Sequence, residues 1–383
     1  MKNKRLLFVS GITIQLMYAI QIKNTMFNSV DADIVLLSNK EEAKVDLEAL
    51  RLVFNRVYFN RVNSAPLYKD AYRYCIHPEQ AIDEMYCRGL EVASYTDIFF
   101  WGDSWLYYFL YKYYSLNNID VSWHLYPEGL SAYTDKYEEK SMRIYGRNII
   151  IQSFIKMYDR LRAGYGNKNI NDILDIYLIN ASWMHCDVPY KVVDVPLINI
   201  ADKDNIYLLN RIFGYVPNKK DDIILLVDNA IHGERERYYD VSFMDKLFLD
   251  IAHNNTPKVY IKRKHGTDIE QYSNLLRKEV VIMEENYPLE LVVINQDIDK
   301  NSVVVGFPSS AVILPYIICI PSELNIVWID DYSMLKLRKE EDRVIGEIAH
   351  KLSCLYDGFV MVSLYRELCV TIRKIIDSRG VSS

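Results

Sequence analysis

The segment Tyr126-Pro127-Glu128-Gly129 places a carboxylate in a turn that directly follows an apolar run typical of a β-strand. A carboxylate held in a strand-end turn is placed to take a proton from a hydroxyl group as a general base. The other interpretation is an ordinary turn with a solvated glutamate. Judged alone, this segment therefore only suggests proton transfer.

A second segment, Lys262-Arg263-Lys264-His265-Gly266, ends another predicted strand. Its cations would neutralise the charge of a departing phosphate, and its histidine would donate a proton or a hydrogen bond. A solvated basic turn is the alternative. The composition of the segment favours an anionic ligand.

A third segment, Gly306-Phe307-Pro308-Ser309-Ser310, joins a predicted strand to an apolar helix. Hydroxyl groups and backbone amides at a helix N-terminus form an anion site, although a serine there also serves as a plain N-cap. The segment therefore predicts either a phosphate contact or a helix cap.

The segment Pro288-Leu289-Glu290 opens a short predicted helix, where Glu290 could accept hydrogen bonds from ribose hydroxyls or simply favour the first turn. Asn229 and His232 follow the strand that begins at residue 222 and are further candidates to line a ligand site. Each of these candidate positions follows a predicted strand.

Strands and helices alternate from Arg5 to Gly129 and again from Asp222 onward. This alternation predicts an α/β protein with two doubly wound, Rossmann-like domains facing a central cleft. We place a first domain with a helical insertion at 1–215. A second domain with C-terminal helices follows at 216–383. A largely helical middle up to about residue 200 and a polar connection after it are expected.

The overall charge excludes a general nucleic-acid binder, because 45 Lys and Arg face 51 Asp and Glu, for a net charge of −6. Six cysteines without a Cys-x-x-Cys pair predict neither a disulfide framework nor a zinc site. No run of 18 apolar residues occurs. We expect a cytoplasmic protein that binds no metal or cofactor, and peripheral contact with the inner face of the membrane stays open.

Taken in order, these motifs resemble those of the bacterial sialyltransferases, the family of polysialyltransferases and lipooligosaccharide sialyltransferases. Its N-terminal element resembles FVSGITIQLMYAIQ, its acidic motif LYPEGLSAY, its histidine motif IKRKHG and its Ser-Ser motif GFPSSAV. The resemblance covers most of the chain and implies a GT-B fold, with 1–215 as the acceptor-side domain and 216–383 as the CMP-sugar-binding domain. Two positions depart from the family pattern, since Pro127 replaces an acidic residue and Gly266 replaces a proline.

The resemblance implies an inverting transfer of sialic acid, or a related nonulosonic acid, from a CMP-sugar to a cell-surface glycan such as a capsule or lipooligosaccharide. Glu128 and His265 would be catalytic, with His124 as another possible base. The implied donor-binding residues are Arg263, Lys264, Pro288, Glu290, Gly306, Ser309 and Ser310. The acceptor-side residues would be Gly11, Gln15 and Gly129.

Two other functions stay open at this point. One is a transferase of the same fold that uses another nucleotide sugar, either UDP-linked or CMP-Kdo. The other is a catalytically silent glycan-binding assembly protein, which the loss of the acidic residue at Pro127 would explain.

Overall fold

The computed structural model describes most of the 383-residue chain. The described residues are 4–11, 14–37, 45–60, 73–74, 76–101, 105–127, 129–133, 173–184, 187–188, 190–220, 222–228, 241–254, 257–263, 269–276, 280–283, 287–298, 300–307, 310–319, 324–330, 340–363 and 365–378. The chain divides into two compact units. The N-terminal unit is Met1–Leu197 with Arg211–Gly214, and the C-terminal unit is Ile198–Asn210 with Tyr215–Ser383.

The N-terminal unit contains a seven-stranded parallel sheet in the order β3-β2-β1-β4-β5-β6-β7. Its strands are β1 (Arg5–Ser10), β2 (Asp31–Leu37), β3 (Arg56–Asn60), β4 (Asp97–Phe100), β5 (Ser122–Leu125), β6 (Ile173–Ile179) and β7 (Lys191–Val195). Its described helices include α1 (Ile14–Met26), α2 (Leu47–Leu50), α3 (Pro78–Ala81) and α4 (Trp105–Asn117). A helix, α5 (Lys203–Phe213), follows β7 in the chain.

The C-terminal unit contains a six-stranded parallel sheet in the order β10-β9-β8-β11-β12-β13. Its strands are β8 (Ile223–Val227), β9 (Lys258–Lys262), β10 (Val281–Ile282), β11 (Val303–Gly306), β12 (Asn325–Ile329) and β13 (Phe359–Val362). Its described helices include α6 (Val241–Asn254), α7 (Ser273–Leu276), α8 (Leu289–Ile294), α9 (Ser310–Ile318), α10 (Glu340–Leu355) and α11 (Tyr365–Asp377).

The central strands are almost continuous apolar runs, as parallel strands covered on both faces require. All residues of β8, β11 and β12 are buried. The edge strands β3 and β7 consist mostly of half-buried and exposed residues, with Val195 as their one buried position. These sheets confirm the predicted fold class, two Rossmann-like α/β domains in succession, as in the GT-B class.

Two expectations about local structure were wrong. The middle of the chain is not largely helical in its described part, because β6 and β7 extend the first sheet there. The C-terminal tail contains β13 between α10 and α11. The polar stretch before the second sheet contains α5, in which apolar side chains recur at helical spacing among the polar ones.

No helix in the described part of the chain combines the length and the apolar character needed to cross a membrane.

Candidate functional site

The turn after β5 begins with a tyrosine whose side chain reaches across the sheet. Tyr126 continues the ladder of β5, since its amide donates to the Phe100 carbonyl at 3.0 Å. Its ring is completely buried, and its hydroxyl donates to the Val9 carbonyl at 2.6 Å. The pairing of β1 with β4 ends one residue earlier, at Phe8 and Phe99. Tyr126 therefore connects the carboxyl ends of β5 and β1 across β4.

A second tyrosine holds the far side of the same turn. The short 3-10 helix Leu130–Tyr133 ends with a buried Tyr133, whose hydroxyl donates to the Ile179 carbonyl at 2.6 Å. The hydroxyls of Tyr18 and Tyr133 lie 3.0 Å apart. Since Tyr133 gives its only proton to Ile179, Tyr18 donates to Tyr133. The turn is thus joined to α1 and to the carboxyl end of β6.

Burial keeps these phenols neutral. It raises the pKa of both Tyr126 and Tyr133 well above the ordinary value for tyrosine. Each hydroxyl therefore acts as a permanent hydrogen-bond donor. Glu128, the predicted base, lies between them in sequence but outside the described residues, whereas Gly129 is described and half-buried.

Gly11 and Gln15 meet at the carboxyl end of β1. A Cβ atom built on Gly11 would stand 3.1 Å from Oε1 of Gln15, so the glutamine side chain lies against the glycine backbone. Both residues are buried. The structure therefore brings these two predicted acceptor-side residues together, at the edge of the sheet that carries the turn after β5.

His124 does not belong to this edge. Its Nε2 lies 3.0 Å from Oδ1 of Asp97, the first residue of β4, and its Nδ1 is hydrogen-bonded to Asp175 in β6. Only 3% of His124 is exposed. Both ring nitrogens are occupied by carboxylates toward the amino ends of the strands. We therefore withdraw His124 as a possible base for the acceptor.

The charges around His124 are balanced by its protonation. Burial alone would lower the pKa of His124, but its hydrogen bonds and charge interactions with Asp175 and Asp97 raise it above the ordinary value. Burial would raise the pKa of Asp97, yet His124, Thr96 and Lys4 together lower it to about 2. The Lys4 ammonium lies 3.1 Å from Asp97. A doubly protonated imidazole satisfies both carboxylates.

In the C-terminal unit, Glu290 occupies the first turn of α8 and is 4% exposed. Burial raises the pKa of its carboxyl to about 7, against the opposing effects of its own backbone amide and of the Lys262 charge. Pro288 is the N-cap of this helix. The sequence thus placed Glu290 correctly in a helical first turn, but it did not indicate that the carboxyl is buried.

Lys262 is the last residue of β9 and is 7% exposed, and Arg263 after it is half-buried. The neighbouring β9 residues Val259 and Ile261 belong to the apolar core on one face of the sheet. Because strand side chains alternate, Lys262 points to the opposite face. Lys264 and His265 lie outside the described residues.

Gly306 ends β11 on the same face as Lys262, since Val303 and Val305 belong to the core on the other side. A Cβ atom on Gly306 would stand 2.4 Å from Cγ2 of Val312 in α9, so only glycine fits this approach. Phe307 is buried and α9 begins at Ser310. Ser309 lies outside the described residues, as does the side chain of Ser310.

After β8, Asp228 is 3% exposed and accepts a hydrogen bond from the Tyr272 hydroxyl at 2.7 Å. Asn229 and His232 lie outside the described residues. Sequence reasoning missed the roles of Tyr18, Tyr126, Tyr133 and Tyr272 in these strand-end contacts. The high tyrosine count, 31 residues, is visible in the sequence, but composition does not reveal which of them are buried hydrogen-bond donors.

Among the described residues, no group of three or more His, Cys, Asp or Glu side chains is arranged to hold a metal ion.

No protein-family model matches this sequence, and a comparison with curated protein sequences finds no match. The resemblance to bacterial sialyltransferases therefore stays a prediction.

Solved structures give likenesses over nearly the whole chain. UDP-GlcNAc 2-epimerase from Methanocaldococcus jannaschii, in complex with UDP-GlcNAc and UDP, is 13% identical with a TM-score of 0.49, over 97% of this chain and 93% of that one. UGT2 of Phytolacca americana, complexed with UDP-2fluoro-glucose and pterostilbene, is 9% identical with a TM-score of 0.48, over 98% and 92%. MurG of Acinetobacter baumannii is 7% identical with a TM-score of 0.46, over 98% and 93%. We draw nothing about substrate or mechanism from likenesses of this strength.

Proposed function

We propose that this protein is a glycosyltransferase that moves a sugar from a nucleotide donor to a hydroxyl group of a glycan acceptor. The observation that carries the proposal is the buried carboxyl of Glu290 in the first turn of α8, which interacts with the charge of Lys262 at the end of β9. Buried ionisable groups with shifted pKa values concentrate at functional sites.

The C-terminal unit would hold the donor. An ionised Glu290 accepts hydrogen bonds from two ribose hydroxyls, which a buried carboxylate needs for solvation. Lys262 contributes positive charge that acts on Glu290, and Arg263 follows it in the chain. Gly306 brings the start of α9 close to β11, where the predicted Ser309 and Ser310 contacts would meet the phosphate.

The N-terminal unit would supply the base. Glu128 accepts the proton of the acceptor hydroxyl while that oxygen attacks the anomeric carbon. The bond between this carbon and the phosphate oxygen breaks, and the nucleotide leaves with the electron pair. His265 and Lys264 stabilise its charge. Attack from the side opposite the leaving group inverts the anomeric centre.

Two donors are candidates. The motif order implies a CMP-linked nonulosonic acid such as sialic acid. A UDP-linked sugar is the second candidate, because a ribose-binding carboxyl serves either nucleotide. Likeness of the fold does not choose between them. CMP-Kdo would use the same contacts as CMP-sialic acid.

The acceptor we propose is a bacterial capsule or lipooligosaccharide precursor. The protein would work in the cytoplasm, at or near the inner face of the membrane, without a bound cofactor. The silent assembly protein is the competing hypothesis.

Calorimetric titration of the full chain with CMP, UDP and GDP, without added metal, tests the donor site. We expect one pyrimidine nucleotide to bind, and Glu290→Gln to weaken it about 10- to 100-fold through lost charged hydrogen bonds. The matched control is Glu367→Gln, since Glu367 is an exposed glutamate in the first turn of α11. Binding of none of the three nucleotides, or equal binding by both variants, would contradict the proposed site.

A further inference from the structure

The helices α5 and α8 end with the same backbone turn. After α5, Gly214 has a left-handed φ of 61°, and the next amide, that of Tyr215, donates to the Asn210 carbonyl at 2.7 Å. After α8, Gln296 has a φ of 56°, and the next amide, that of Asp297, donates back into the helix at 3.1 Å. This is the Schellman arrangement, in which a left-handed residue turns the chain out of the helix. Tyr215 and Asp297 thus occupy equivalent positions.

Tyr215 contacts the chain on both sides of α8. Its hydroxyl donates to Oδ2 of Asp297 at 2.6 Å, just beyond the C-terminus of that helix. Its ring packs edge to face against Tyr287, which directly precedes the N-cap Pro288, with the ring centroids 4.9 Å apart. Only 8% of Tyr215 is exposed. One buried side chain therefore links both ends of a helix that is six residues long.

Two further contacts hold the C-terminal end of α8. The side-chain amides of Asn210 and Asn295 exchange two hydrogen bonds, each 2.7 Å long. The Asn218 amide donates to Oδ2 of Asp297 at 3.0 Å. Gln296 is a non-glycine residue with a left-handed backbone, which costs free energy unless its surroundings hold it there. The hydrogen bonds on either side of Gln296 supply that restraint.

The helix held in this way carries Glu290 in its first turn. Because α8 is only about 9 Å long, a displacement of either end also displaces the Glu290 carboxyl. We propose that Tyr215, together with Asn210, is a positioning residue that holds the Glu290 carboxyl at the nucleotide ribose. This inference rests on the proposed function, in which Glu290 binds that ribose. Tyr215 needs no contact with the nucleotide for this role.

The test measures the binding of CMP and of UDP to the full chain by calorimetry. Tyr215→Phe removes the hydrogen bond to Asp297 but keeps the ring beside Tyr287, and Asn210→Ala removes the paired amides. Each substitution is made alone and in the Glu290→Gln background. Thermal unfolding checks that every variant is folded at the temperature of the titration.

Tyr316→Phe is the matched control. Tyr316 is 1% exposed in the second half of α9, and its hydroxyl donates to the Leu324 carbonyl, directly before β12, at 2.6 Å. The control therefore removes a buried tyrosine hydrogen bond of the same unit, at the amino side of the sheet. It leaves the attachments of α8 in place.

We expect the dissociation constant of the nucleotide that the wild type binds to rise about 3- to 10-fold in Tyr215→Phe and in Asn210→Ala, since each loses one attachment of α8. Tyr316→Phe should stay within about twofold of the wild type. In the Glu290→Gln background, both substitutions should change the dissociation constant by less than about twofold, because residues that act through one group are not additive. A merely structural role would lower the affinity equally in both backgrounds.

The outcomes separate the two claims. A wild type that binds neither nucleotide, or a Glu290→Gln variant that binds as well as the wild type, refutes the proposed donor site and this inference with it. If Glu290→Gln weakens binding but Tyr215→Phe and Asn210→Ala bind like Tyr316→Phe, the positioning role is overturned and the proposed function stands. An equal loss of affinity with and without the Glu290 carboxyl overturns the positioning role as well.

Discussion

His124 Nε2 lies 3.0 Å from Oδ1 of Asp97 inside the first sheet, where both residues are at most 7% exposed. The other ring nitrogen is hydrogen-bonded to Asp175. Both contacts need a proton on the ring nitrogen, so the folded protein favours the imidazolium form. Lys4 and Asp97 form an ion pair next to it. The amino side of this sheet thus contains a buried charge network whose stability depends on pH.

The first prediction concerns that dependence. Folding raises the pKa of His124, so its contribution is complete below the unfolded value of about 6.5 and is lost as pH rises through the folded pKa. Urea unfolding, followed by tryptophan fluorescence, should show stability falling above pH 6.5. Trp101, Trp105, Trp123 and Trp183 report on the N-terminal unit.

His124→Gln should lose about 3–5 kcal/mol at pH 6, because it removes the cation that the two buried carboxylates share. It should also flatten the pH profile above 6.5. His253→Gln is the control, since His253 is exposed at the end of α6. A variant that keeps the wild-type pH profile would show that another group is responsible.

A second prediction concerns nucleotide binding near neutrality. Burial raises the pKa of Glu290 to about 7, and only the ionised carboxyl accepts two ribose hydrogen bonds. The advantage of wild type over Glu290→Gln should therefore grow as pH rises from 6 to 8. Calorimetry on both proteins at each pH gives the ratio of their dissociation constants, in which ionisation of the nucleotide cancels. A ratio that does not vary with pH would remove Glu290 from the ribose site.

The raised pKa of Glu290 also makes the stability of the folded protein depend on pH. A carboxyl whose pKa is raised on folding stabilises the protein below its unfolded pKa of about 4.3, and this contribution is lost as pH rises through about 7. Glu290→Gln should therefore gain stability relative to wild type between pH 5 and 8. Thermal unfolding of the two proteins across this range checks the direction.

Gly306 gives a prediction about packing. Its Cβ position lies 2.4 Å from Cγ2 of Val312, which is completely buried. Gly306→Ala should cost about 1–3 kcal/mol by overpacking and should weaken nucleotide binding by moving the start of α9. The double variant Gly306→Ala/Val312→Ala should recover binding relative to Gly306→Ala. If the double variant binds no better, the contact does not set the position of α9.

Metal removal provides another test. The residues proposed to meet the phosphate are cations, a histidine and hydroxyl groups, so catalysis should need no divalent ion. Turnover in EDTA should equal turnover in untreated protein. Loss of activity in EDTA, restored by Mg²⁺ or Mn²⁺, would contradict this expectation.

The sequence predicted the strand-helix alternation well where apolar runs are flanked by turn residues. The two predicted starts of the alternation, at Arg5 and Asp222, agree with the strands β1 (Arg5–Ser10) and β8 (Ile223–Val227). It failed at β13, a strand of four residues between two amphipathic helices, because so short a run is also compatible with a continuous helix. Short apolar runs require tertiary pairing to become strands.

Within the candidate site, sequence located Glu290 and Gly306 at element boundaries but not the burial or the close packing that define them. His124 shows the limit most clearly. Because it is a histidine, the sequence suggested a general base, yet long-range hydrogen bonds with Asp97 and Asp175 occupy both ring nitrogens. Contacts separated by 27 and 51 residues leave no local pattern to read.

The most direct test of the central claim is sugar transfer itself. The purified protein is incubated with CMP-sialic acid, UDP-GlcNAc or UDP-glucose together with a β-galactoside acceptor. Mass spectrometry then measures the masses of the products. We predict that one donor adds its sugar to the acceptor with release of one nucleotide, and that Glu128→Gln abolishes the product while still binding that nucleotide. A folded protein that binds a nucleotide but transfers no sugar from any of these donors would contradict the account and favour the silent assembly protein.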